Sequence, residues 1–579
     1  MIREVNKGRS PWRWALLGAL LVLLAYLPTL RNGAVWDDRH LVVDNPYFRD
    51  LAGIVDLFRN DIWTTTALGV RSEYYRPLPM LSFAVDDAIG GGSIAVFHFG
   101  NALLHALASF VLALVLHRAL GGRSWILPVL CAVGWGLLPA HGEPVAWISG
   151  RFDVLATLLA LIAFLANFGD SWKHRVVTVL ATFASLLCKE AAILGPVALA
   201  MCDVILLRRP LRGLVPKYLA LAAIVGVNIA LRRWVGVITA DAGTEPLELL
   251  RSLAFMVMGV LRRNLWPTGL DAFHPYVAPS LGLTAAVFVA LALVALPLAW
   301  GSLRAERPAN FRLAFFGLAW FCLTLAPAAL TGPALDMVGD RYAYLPNIGL
   351  VFLAAGLLKE VDERLQGTSR KRALVLAGTF TGLLFVAWTW VGYLRLQDWR
   401  DDRSLTLASL RAHPGNPYAL YALGEQAVLA GNHAEGDELL RQAIATGPRP
   451  WRALNALCYS LLRQRRYDEG APFCIDSLAI NGRDPRAWVN LATIRARQKR
   501  WDEALEYARS SLRYRKRYAE AHYLIAVALA NLNQMPEALR ELGEALRLDP
   551  EHKGARSFTK DLEKRGVIRA AQPPKPDDR

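Results

Sequence analysis

The sequence predicts an all-α membrane protein with about eleven transmembrane helices, followed by an α-solenoid of short helical repeats. The 579-residue chain is 54% hydrophobic, which is too apolar for a soluble protein of several domains. Its apolar residues concentrate before about residue 395, and its charged residues follow that point. From Pro417 onward, a helix-turn-helix pattern repeats about every 34 residues. The two parts of the chain are therefore expected to fold as different kinds of helical structure.

The membrane part contains eleven apolar segments of about the length that crosses a bilayer as a helix. A further stretch, 247–266, is amphipathic and contains three arginines, so we expect it to lie in or re-enter the membrane interface. The predicted spans are roughly 12–30, 94–118, 124–140, 152–168, 174–188, 190–207, 214–233, 281–300, 312–331, 343–358 and 372–394.

Lysine and arginine in the short loops predict the orientation of these spans. If the N-terminus is cytoplasmic, the cytoplasmic connections are basic, for example "DSWKHR", "LRRPLRG" and "KEVDERLQGTSRKR". The opposite, outer side then receives the aspartate-rich loop 31–93 and the C-terminal repeats; a true crossing by 247–266 would move the repeats to the cytoplasm. The net charge of +16 fits basic loops near anionic lipid headgroups, and no nucleic-acid-binding motif accompanies it.

We divide the chain into a transmembrane domain (1–395), a linker helix (396–416), about four repeats (417–555) and a C-terminal tail (556–579). Small residues recur at the eighth and twentieth repeat positions, where paired tetratricopeptide helices approach each other. Such arrays form grooves that bind extended peptides or partner helices, although a purely structural spacer is the alternative. Cys458 and Cys474 lie on paired helices of one repeat, where they could form a disulfide or remain two buried thiols.

Titratable residues gather in the predicted outer loops. Taken singly, each has a structural interpretation: a solvated aspartate, a helix cap, or an arginine snorkelling to the membrane surface. Taken together, ionisable groups at one membrane face indicate a functional site. The set comprises Asp37, Asp38, Asp44, Glu73, Tyr75, Arg76, His141, Glu143, Trp147, Arg151, Asp153, Lys189, Glu190, His274, Asp336, Asp340 and Arg341.

These residue types suit the transfer of a sugar from a lipid phosphate to a hydroxyl group. A hydroxyl is a poor nucleophile and needs a carboxylate base, whereas a phosphate leaving group needs cationic partners. The hydrocarbon tail of the donor requires a site at the edge of the membrane. Asp37, Asp38 and Glu143 could instead hold a divalent cation, although their spacing does not favour this.

The sequence also resembles a known family, the transmembrane and tetratricopeptide repeat-containing O-mannosyltransferases, and more distantly the protein O-mannosyltransferases. The similar stretches extend over nearly the whole membrane part, and the repeats follow on the expected side. They are "VWDDRHLVVDNP", "YYRPLPMLSFAVDDAIGG", "VFHFGNALLHALASFVL", "PAHGEPVAWISGRFDVLATL", "CKEAAILGPVALAMCDVI", "LWPTGLDAFHPY" and "DRYAYLPNIGL".

The resemblance implies a membrane glycosyltransferase of the GT-C fold with an inverting mechanism. Such an enzyme moves a sugar, here expected to be mannose, from a polyprenyl phosphate to a hydroxyl of an exported protein. The resemblance implies Asp37 or Asp38 as the base and Glu143 as a second acidic site. It further implies Arg151 and Arg341 as ligands of the donor phosphate, and Lys189 and Glu190 match another motif of the family. We also expect Arg76 and Lys189 to bind the donor phosphate, and His141, Trp147, Glu190 and Tyr342 to serve the acceptor or other roles.

Two alternatives remain open at this stage. The same chemistry could act on a lipid or glycan acceptor, or the chain could be a non-enzymatic scaffold whose repeats assemble an export complex. The arginine- and alanine-rich composition is typical of a bacterial protein. We therefore expect a bacterial inner-membrane protein that contacts membrane lipids, with its reactive loops and repeats in the periplasm.

Overall fold

A computed structural model describes residues 12–48, 50–66, 69, 71–122, 124–237, 245–304, 308–330, 337–447 and 450–567. Regular structure in these residues is almost entirely helical. The sheet found among them consists of two short antiparallel strands, β1 (His274–Pro275) and β2 (Met337–Val338). The all-α prediction is confirmed.

The membrane part contains both long apolar α-helices and short α-helices. They are Trp12–Tyr26, Leu51–Leu57, Pro77–Gly90, Ile94–Ala119, Ile126–Gly136, Gly142–Ala146, Arg151–Asn167, Trp172–Leu186, Gly195–Met201, Val215–Val235, Pro246–Leu265, Leu281–Arg304, Pro308–Leu325, Asn347–Arg364, Gly367–Asp398 and Asp402–Ala412. Short 3₁₀ or π turns connect them at Leu27–Arg31, Arg39–Val43, Pro46–Phe48, Pro139–His141, Ile148–Gly150, Glu190–Leu194, Cys202–Leu206, Leu211–Leu214, Ala326–Leu330 and Asp340–Ala343.

Seven helices among the described residues are long and apolar enough to cross a membrane, and a bent pair raises the number to eight. In Gly367–Asp398 the most apolar stretch has 0% of its residues buried, and in Leu281–Arg304 the buried share is 11%. Leucine, valine and tryptophan side chains exposed along a whole helix require a lipid environment. The chain is therefore an integral membrane protein.

The remaining predicted spans fold differently from simple rods. The segment predicted at 124–140 is part of the bent pair Ile126–Gly136 and Pro139–Ala146, whose axes differ by 53°. At 174–188 the helix has 15 residues, and 190–207 is broken into three short helical pieces. Most of the segment 343–358 lies in the helix Asn347–Arg364, which begins four residues later than predicted and continues into charged residues. Apolar composition alone does not distinguish these from full spans.

Close helix packing gives the membrane part its core. At Gly317 an added Cβ atom would lie 2.4 Å from the carbonyl oxygen of Gly349, so only glycine permits this approach between Pro308–Leu325 and Asn347–Arg364. Large aromatic side chains, including Trp320 and Phe352, are fully buried beside this contact. This contact joins the helices that precede and follow Asp340–Ala343 in the chain.

Contacts divide the chain into two compact units: Met1–Leu68 with Ser72–Pro414, and Gly69–Arg71 with Gly415–Arg579. The predicted linker helix 396–416 is not continuous. Gly367–Asp398 ends within it, and a new helix begins at Asp402, capped by the carboxylate of Asp401, which accepts a hydrogen bond from the backbone N–H of Ser404 at 2.8 Å.

The second unit contains the predicted helix pairs. The turn inside each pair places a residue at positive φ in four equivalent positions, Gly431, Arg465, Lys499 and Asn533. Cys458 and Cys474 are joined by a disulfide between paired helices. The helices are Pro417–Leu429, His433–Thr446, Trp451–Arg463, Tyr467–Ile480, Pro485–Arg497, Trp501–Tyr514, Ala519–Asn531, Met535–Leu548 and Lys553–Lys564.

The last of these helices lies largely within the predicted tail 556–579. Leu562 is buried with Ala526 and Leu542 of the final repeat, so the start of the tail closes the end of the solenoid. Residues 568–579 lie outside the described part of the chain.

Candidate functional site

The loop after the first span begins with a constrained tryptophan. Trp36 has a φ of +56°, a conformation that non-glycine residues adopt at a cost in energy. Its backbone N–H donates to the Asp402 carboxylate at 2.7 Å, and its ring stacks on Trp147 with centroids 5.1 Å apart. These contacts fix the backbone immediately before Asp37 and Asp38.

The Asp38 carboxylate is fully buried and receives four hydrogen bonds. One oxygen accepts from the Ser149 backbone N–H at 2.8 Å and from the Ser149 hydroxyl at 2.7 Å. The other accepts from the backbone N–H groups of Val35 and Ile148 at 3.2 and 3.3 Å. Asp38 thereby caps the turn Ile148–Gly150, which leads directly into the helix Arg151–Asn167. Burial raises the pKa of Asp38 to about 7, against the opposing effect of the hydrogen bonds from Ser149 and Val35.

Asp37 differs from its neighbour in exposure. It is half-buried, whereas Asp38 has 0% of its surface exposed. The Asp37 carbonyl accepts a hydrogen bond from the Leu41 N–H at 2.9 Å, which starts the turn Arg39–Val43. Of the two predicted bases, Asp37 is the one that retains exposed surface.

Glu143 and Arg341 form an ion pair across two predicted outer loops. The buried Glu143 carboxylate lies 2.5 Å from the Arg341 guanidinium and also accepts from the Arg341 backbone N–H at 3.2 Å. The Arg341 guanidinium carbon lies 5.5 Å from the ring centre of Trp36, 5.4 Å from that of Trp147 and 4.8 Å from that of Tyr342. Three aromatic rings therefore surround a cation that a carboxylate already holds in place.

Tyr342 connects this pair to a second cation. The Lys189 ammonium lies 5.5 Å from the centre of the Tyr342 ring and forms an ion pair with Asp153 at the start of the helix Arg151–Asn167. The Lys189 and Asp153 side chains are 15% and 12% exposed, so the pair borders solvent.

A third cation lies beside Glu190. The Arg76 guanidinium makes a 2.7 Å ion pair with Glu190, which also lies 3.2 Å from Arg232. Arg76 packs against the ring of Phe152, with its guanidinium carbon 4.8 Å from the ring centre. The side chain of Glu190 is 37% exposed, so this network also opens at one side.

We call Arg76, Lys189 and Arg341 the outer cation group. Each of the three is between 11% and 15% exposed, is held by a carboxylate and packs on an aromatic ring. Cations that are pre-oriented yet accessible can receive a phosphate group with little reorganisation. The structure thus brings together seven of the predicted residues, in addition to the two aspartates: Arg76, Glu143, Trp147, Lys189, Glu190, Arg341 and Tyr342.

Two predicted site residues lie elsewhere. Arg151 is 1% exposed and donates to the side-chain oxygen of Asn101 at 2.7 Å, to the carbonyl of Phe97 at 2.8 Å and to the carbonyl of Ser82 at 3.3 Å. It also forms a 2.6 Å ion pair with Asp86. Its donors are therefore engaged within the protein, and these bonds join three helices.

His141 lies in a buried aromatic cluster. It is 0% exposed, and one of its ring nitrogens is 3.1 Å from the Asn347 side-chain amide. The centres of the Trp135 and Tyr344 rings lie 4.9 and 4.7 Å from the centre of the His141 ring. His141 is thus packed in the protein interior, whereas Glu143, two residues later, forms the ion pair with Arg341.

Sequence reasoning missed Arg232 as a partner of Glu190, because it lies in a segment interpreted only as a span. Two adjacent arginines in the outer half of an apolar segment, "LRRW", are the signal that could have found it. Asp37, Asp38 and Glu143, whose spacing did not favour a metal site, do not form the candidate metal group. Among the described residues, the group with metal-binding geometry consists of Asp271, His274 and His413.

Comparisons with known proteins place the chain near one group. No protein-family model matches it. It is 25% identical over 531 residues to the protein O-mannosyl-transferase Tmtc1 of Drosophila melanogaster, an alignment covering 74% of this chain and 61% of that protein. It is 24% identical over 449 residues to the protein O-mannosyl-transferase F38B6.6 of Caenorhabditis elegans, covering 72% of this chain and 61% of that protein. A shorter match, 35% identical over 216 residues, relates 34% of this chain to 22% of Drosophila Tmtc2.

Among solved structures, the chain is similar to the tetratricopeptide repeat protein YrrB, with 20% identity and a TM-score of 0.24 over 27% of this chain and 81% of that one. A crystal structure of MamA matches with 17% identity and the same TM-score over 26% of this chain and 87% of that one. The chain spans about three fifths of the length of the Drosophila Tmtc1 and Caenorhabditis elegans relatives. The predicted resemblance is confirmed: over about three quarters of its length, this chain is similar in sequence to protein O-mannosyl-transferases.

Proposed function

We propose that this protein is a membrane glycosyltransferase that moves a sugar, expected to be mannose, from a polyprenyl phosphate to a hydroxyl group of a protein. The observation that carries the proposal is the outer cation group, which lies beside the loop that contains Asp37. The names of the relatives support a mannosyl transfer to protein. The combination of a carboxylate base and accessible cations is what transfer from a lipid phosphate requires.

Asp37 is assigned as the base. Its partial exposure allows an acceptor hydroxyl to approach, whereas both oxygens of Asp38 already accept two hydrogen bonds each. As the hydroxyl oxygen attacks the anomeric carbon from the face opposite the phosphate, Asp37 takes its proton and the polyprenyl phosphate leaves with inversion. The adjoining cap made by Asp38 holds the loop backbone in position.

The outer cation group is assigned to the donor phosphate. Arg76, Lys189 and Arg341 would stabilise the negative charge that grows on the leaving phosphate. Their carboxylate partners Glu190, Asp153 and Glu143 keep them oriented in the absence of donor. Arg151 is given a structural role instead, because its donors are engaged inside the helix bundle.

We place the reaction on the outer face of a bacterial inner membrane, with the repeats on the same side as the periplasmic acceptor. The basic cytoplasmic loops support this orientation. The Cys458–Cys474 disulfide also supports it, because disulfides persist in oxidising compartments. The repeats would present an exported protein to the membrane unit, as grooves of this class hold extended segments.

The proposal is tested with the purified full chain in detergent, radiolabelled polyprenyl-phosphate mannose and a periplasmic extract as acceptor. Wild type should transfer label to material that protease digestion degrades, and Asp37→Asn should abolish transfer. Asp44→Asn is the matched control, because Asp44 is an exposed acid of the same loop and should retain activity.

Protease-resistant labelled product would replace the protein acceptor with a lipid or glycan. Absence of transfer from every polyprenyl-phosphate sugar tested, with folded wild-type protein, would overturn the enzyme and leave a scaffold role for the repeats. Equal activity of wild type and Asp37→Asn would overturn the assignment of the base.

A further inference from the structure

Three potential metal ligands that are not members of the outer cation group converge in the membrane unit. The ligand atoms of Asp271, His274 and His413 all lie within 4.8 Å of one another. Nδ1 of His274 is 2.9 Å from Nε2 of His413, and the latter is 4.0 Å from an Asp271 carboxylate oxygen. Two imidazoles and one carboxylate form the ligand set of zinc sites that keep an open position.

The protonation of His274 follows from its other ring nitrogen. Nε2 lies 2.8 Å from the Asp340 carboxylate, which also forms ion pairs with Arg263 at 3.0 Å and Arg395 at 3.5 Å. A carboxylate held by two arginines is ionised and can only accept, so the His274 Nε2–H must donate. In the neutral imidazole, the lone pair therefore lies on Nδ1, the nitrogen that faces His413.

This arrangement also resembles a metal centre in its supporting contacts. Histidine ligands of metals commonly donate their second N–H to a carboxylate, which fixes the tautomer and the ring orientation. Asp340 supplies that contact here. The Asp271 carboxylate is oriented too, because one oxygen accepts from the Phe273 N–H at 3.0 Å and the other from the Ser409 hydroxyl at 2.9 Å.

The exposure of the three side chains indicates how an ion would reach them. Asp271 and His274 are buried, with 1% and 5% of their side chains exposed, whereas His413 is 31% exposed. A metal ion would therefore enter from the side of His413, where a water molecule could complete the coordination. His413 directly follows the helix Asp402–Ala412, so an ion at this point would fasten the end of that helix to the loop that contains Asp271 and β1.

We propose that Asp271, His274 and His413 bind a divalent transition-metal ion of the Zn²⁺ class. The ion would be bound by the lone pair on Nδ1 of His274 and, after loss of the proton between the two rings, by that on Nε2 of His413; these nitrogens are 2.9 Å apart. The alternative arrangement is a hydrogen bond in which Nε2–H of His413 donates to Nδ1 of His274 and no ion binds. The proposal does not depend on the transferase reaction.

The test uses the full chain purified in detergent through an affinity tag without histidine, stripped with a chelator and then titrated with Zn²⁺. We expect about one ion per chain and a higher thermal unfolding midpoint on saturation, because an ion that binds only the folded state stabilises it. Co²⁺ in place of Zn²⁺ should give the visible absorption of a site with nitrogen and oxygen ligands.

Variants locate the binding. His413→Ala and His274→Ala should abolish both the bound ion and the zinc-dependent rise in the midpoint. Asp340→Asn should weaken binding about 10–100-fold without changing the number of ions bound. His40→Ala is the control, because His40 is an exposed histidine of the first loop and should bind as wild type does. If the buried His274 variant fails to fold, the partly exposed His413 variant decides.

Equal zinc content and equal midpoint shifts in wild type and His413→Ala would overturn the proposal. Absence of any zinc-dependent shift in folded wild-type protein would also overturn it, in favour of the imidazole–imidazole hydrogen bond.

Discussion

Glu143 and Arg341 are 198 residues apart in the chain, yet their side chains meet at 2.5 Å in the interior of the protein. The pair joins the loop that follows the bent helix pair to the turn Asp340–Ala343. Glu143 has no exposed side-chain surface and Arg341 has 11%. Each charge therefore depends on the other for its neutralisation, and Arg341 is held among Trp36, Trp147 and Tyr342.

Removing one member of this pair should be costly. We expect Glu143→Gln to lower the free energy of unfolding by about 3–5 kcal/mol, because a buried guanidinium loses its counter-charge. Thermal unfolding in detergent measures the effect. The double variant Glu143→Gln/Arg341→Gln should be less destabilised than the sum of the two single variants; additive effects would contradict a direct pair.

Of the two adjacent aspartates, we expect Asp37 to act in the reaction and Asp38 to have a structural role. Asp37→Asn should abolish sugar transfer in protein that remains folded. Asp38→Asn should lower stability by about 1–3 kcal/mol, because its amide N–H₂ would face the Val35 and Ile148 N–H donors. Activity and thermal unfolding are measured on the same preparations. Loss of transfer with unchanged stability in Asp38→Asn would reverse the assignment.

The stability difference between wild type and Asp38→Asn should depend on pH. The pKa of Asp38 is about 7 in the folded protein, above its ordinary value of 3.8. The folded state then binds more protons between these values, so the contribution of Asp38 is fully present below about pH 4 and is lost as the pH rises through about 7. Unfolding midpoints at pH 5 and pH 8 should reveal a larger deficit of the variant at pH 5. A deficit that grows with pH would contradict the raised pKa.

Arg76 and Arg151 should respond differently to the loss of their charge. Arg76→Gln should raise the KM for the polyprenyl-phosphate donor about tenfold or more, since a charged hydrogen bond contributes about 1.5–3 kcal/mol. Arg151→Gln should instead lower the unfolding midpoint, because Asp86 loses its 2.6 Å partner. Donor titrations on folded material distinguish them. An increased donor KM in a stable Arg151→Gln protein would return Arg151 to the phosphate site.

The disulfide of the repeats should stabilise the second unit. Replacing Cys458 and Cys474 together by alanine should lower its stability by about 3 kcal/mol, as expected for a loop with a sequence separation of 16. Unfolding of the full chain with and without reductant measures this. Cys322→Ala, which removes a free cysteine of the membrane part, serves as the control and should leave the reductant effect unchanged.

Features that depend on local sequence pattern could be predicted without the structure. Long apolar runs predicted the spans Ile94–Ala119 and Gly367–Asp398, because a helix in lipid must satisfy its backbone within the segment. The recurrence of small residues predicted the helix pairs after Pro417, because such contacts repeat with the chain. The motif resemblance identified Glu143, Lys189 and Arg341 individually as candidate site residues.

Features that depend on contacts between distant segments follow only from the folded structure. Asp37 and Asp38 are adjacent and chemically identical, and the burial of Asp38 with its hydrogen bonds from Val35, Ile148 and Ser149 distinguishes it from the half-buried Asp37. The contacts of Arg151, and the convergence of His274 with His413 across 139 positions, likewise have no local signal. The physical reason is that burial and hydrogen-bond partners are properties of the packed chain, whereas periodicity and composition are properties of each segment alone.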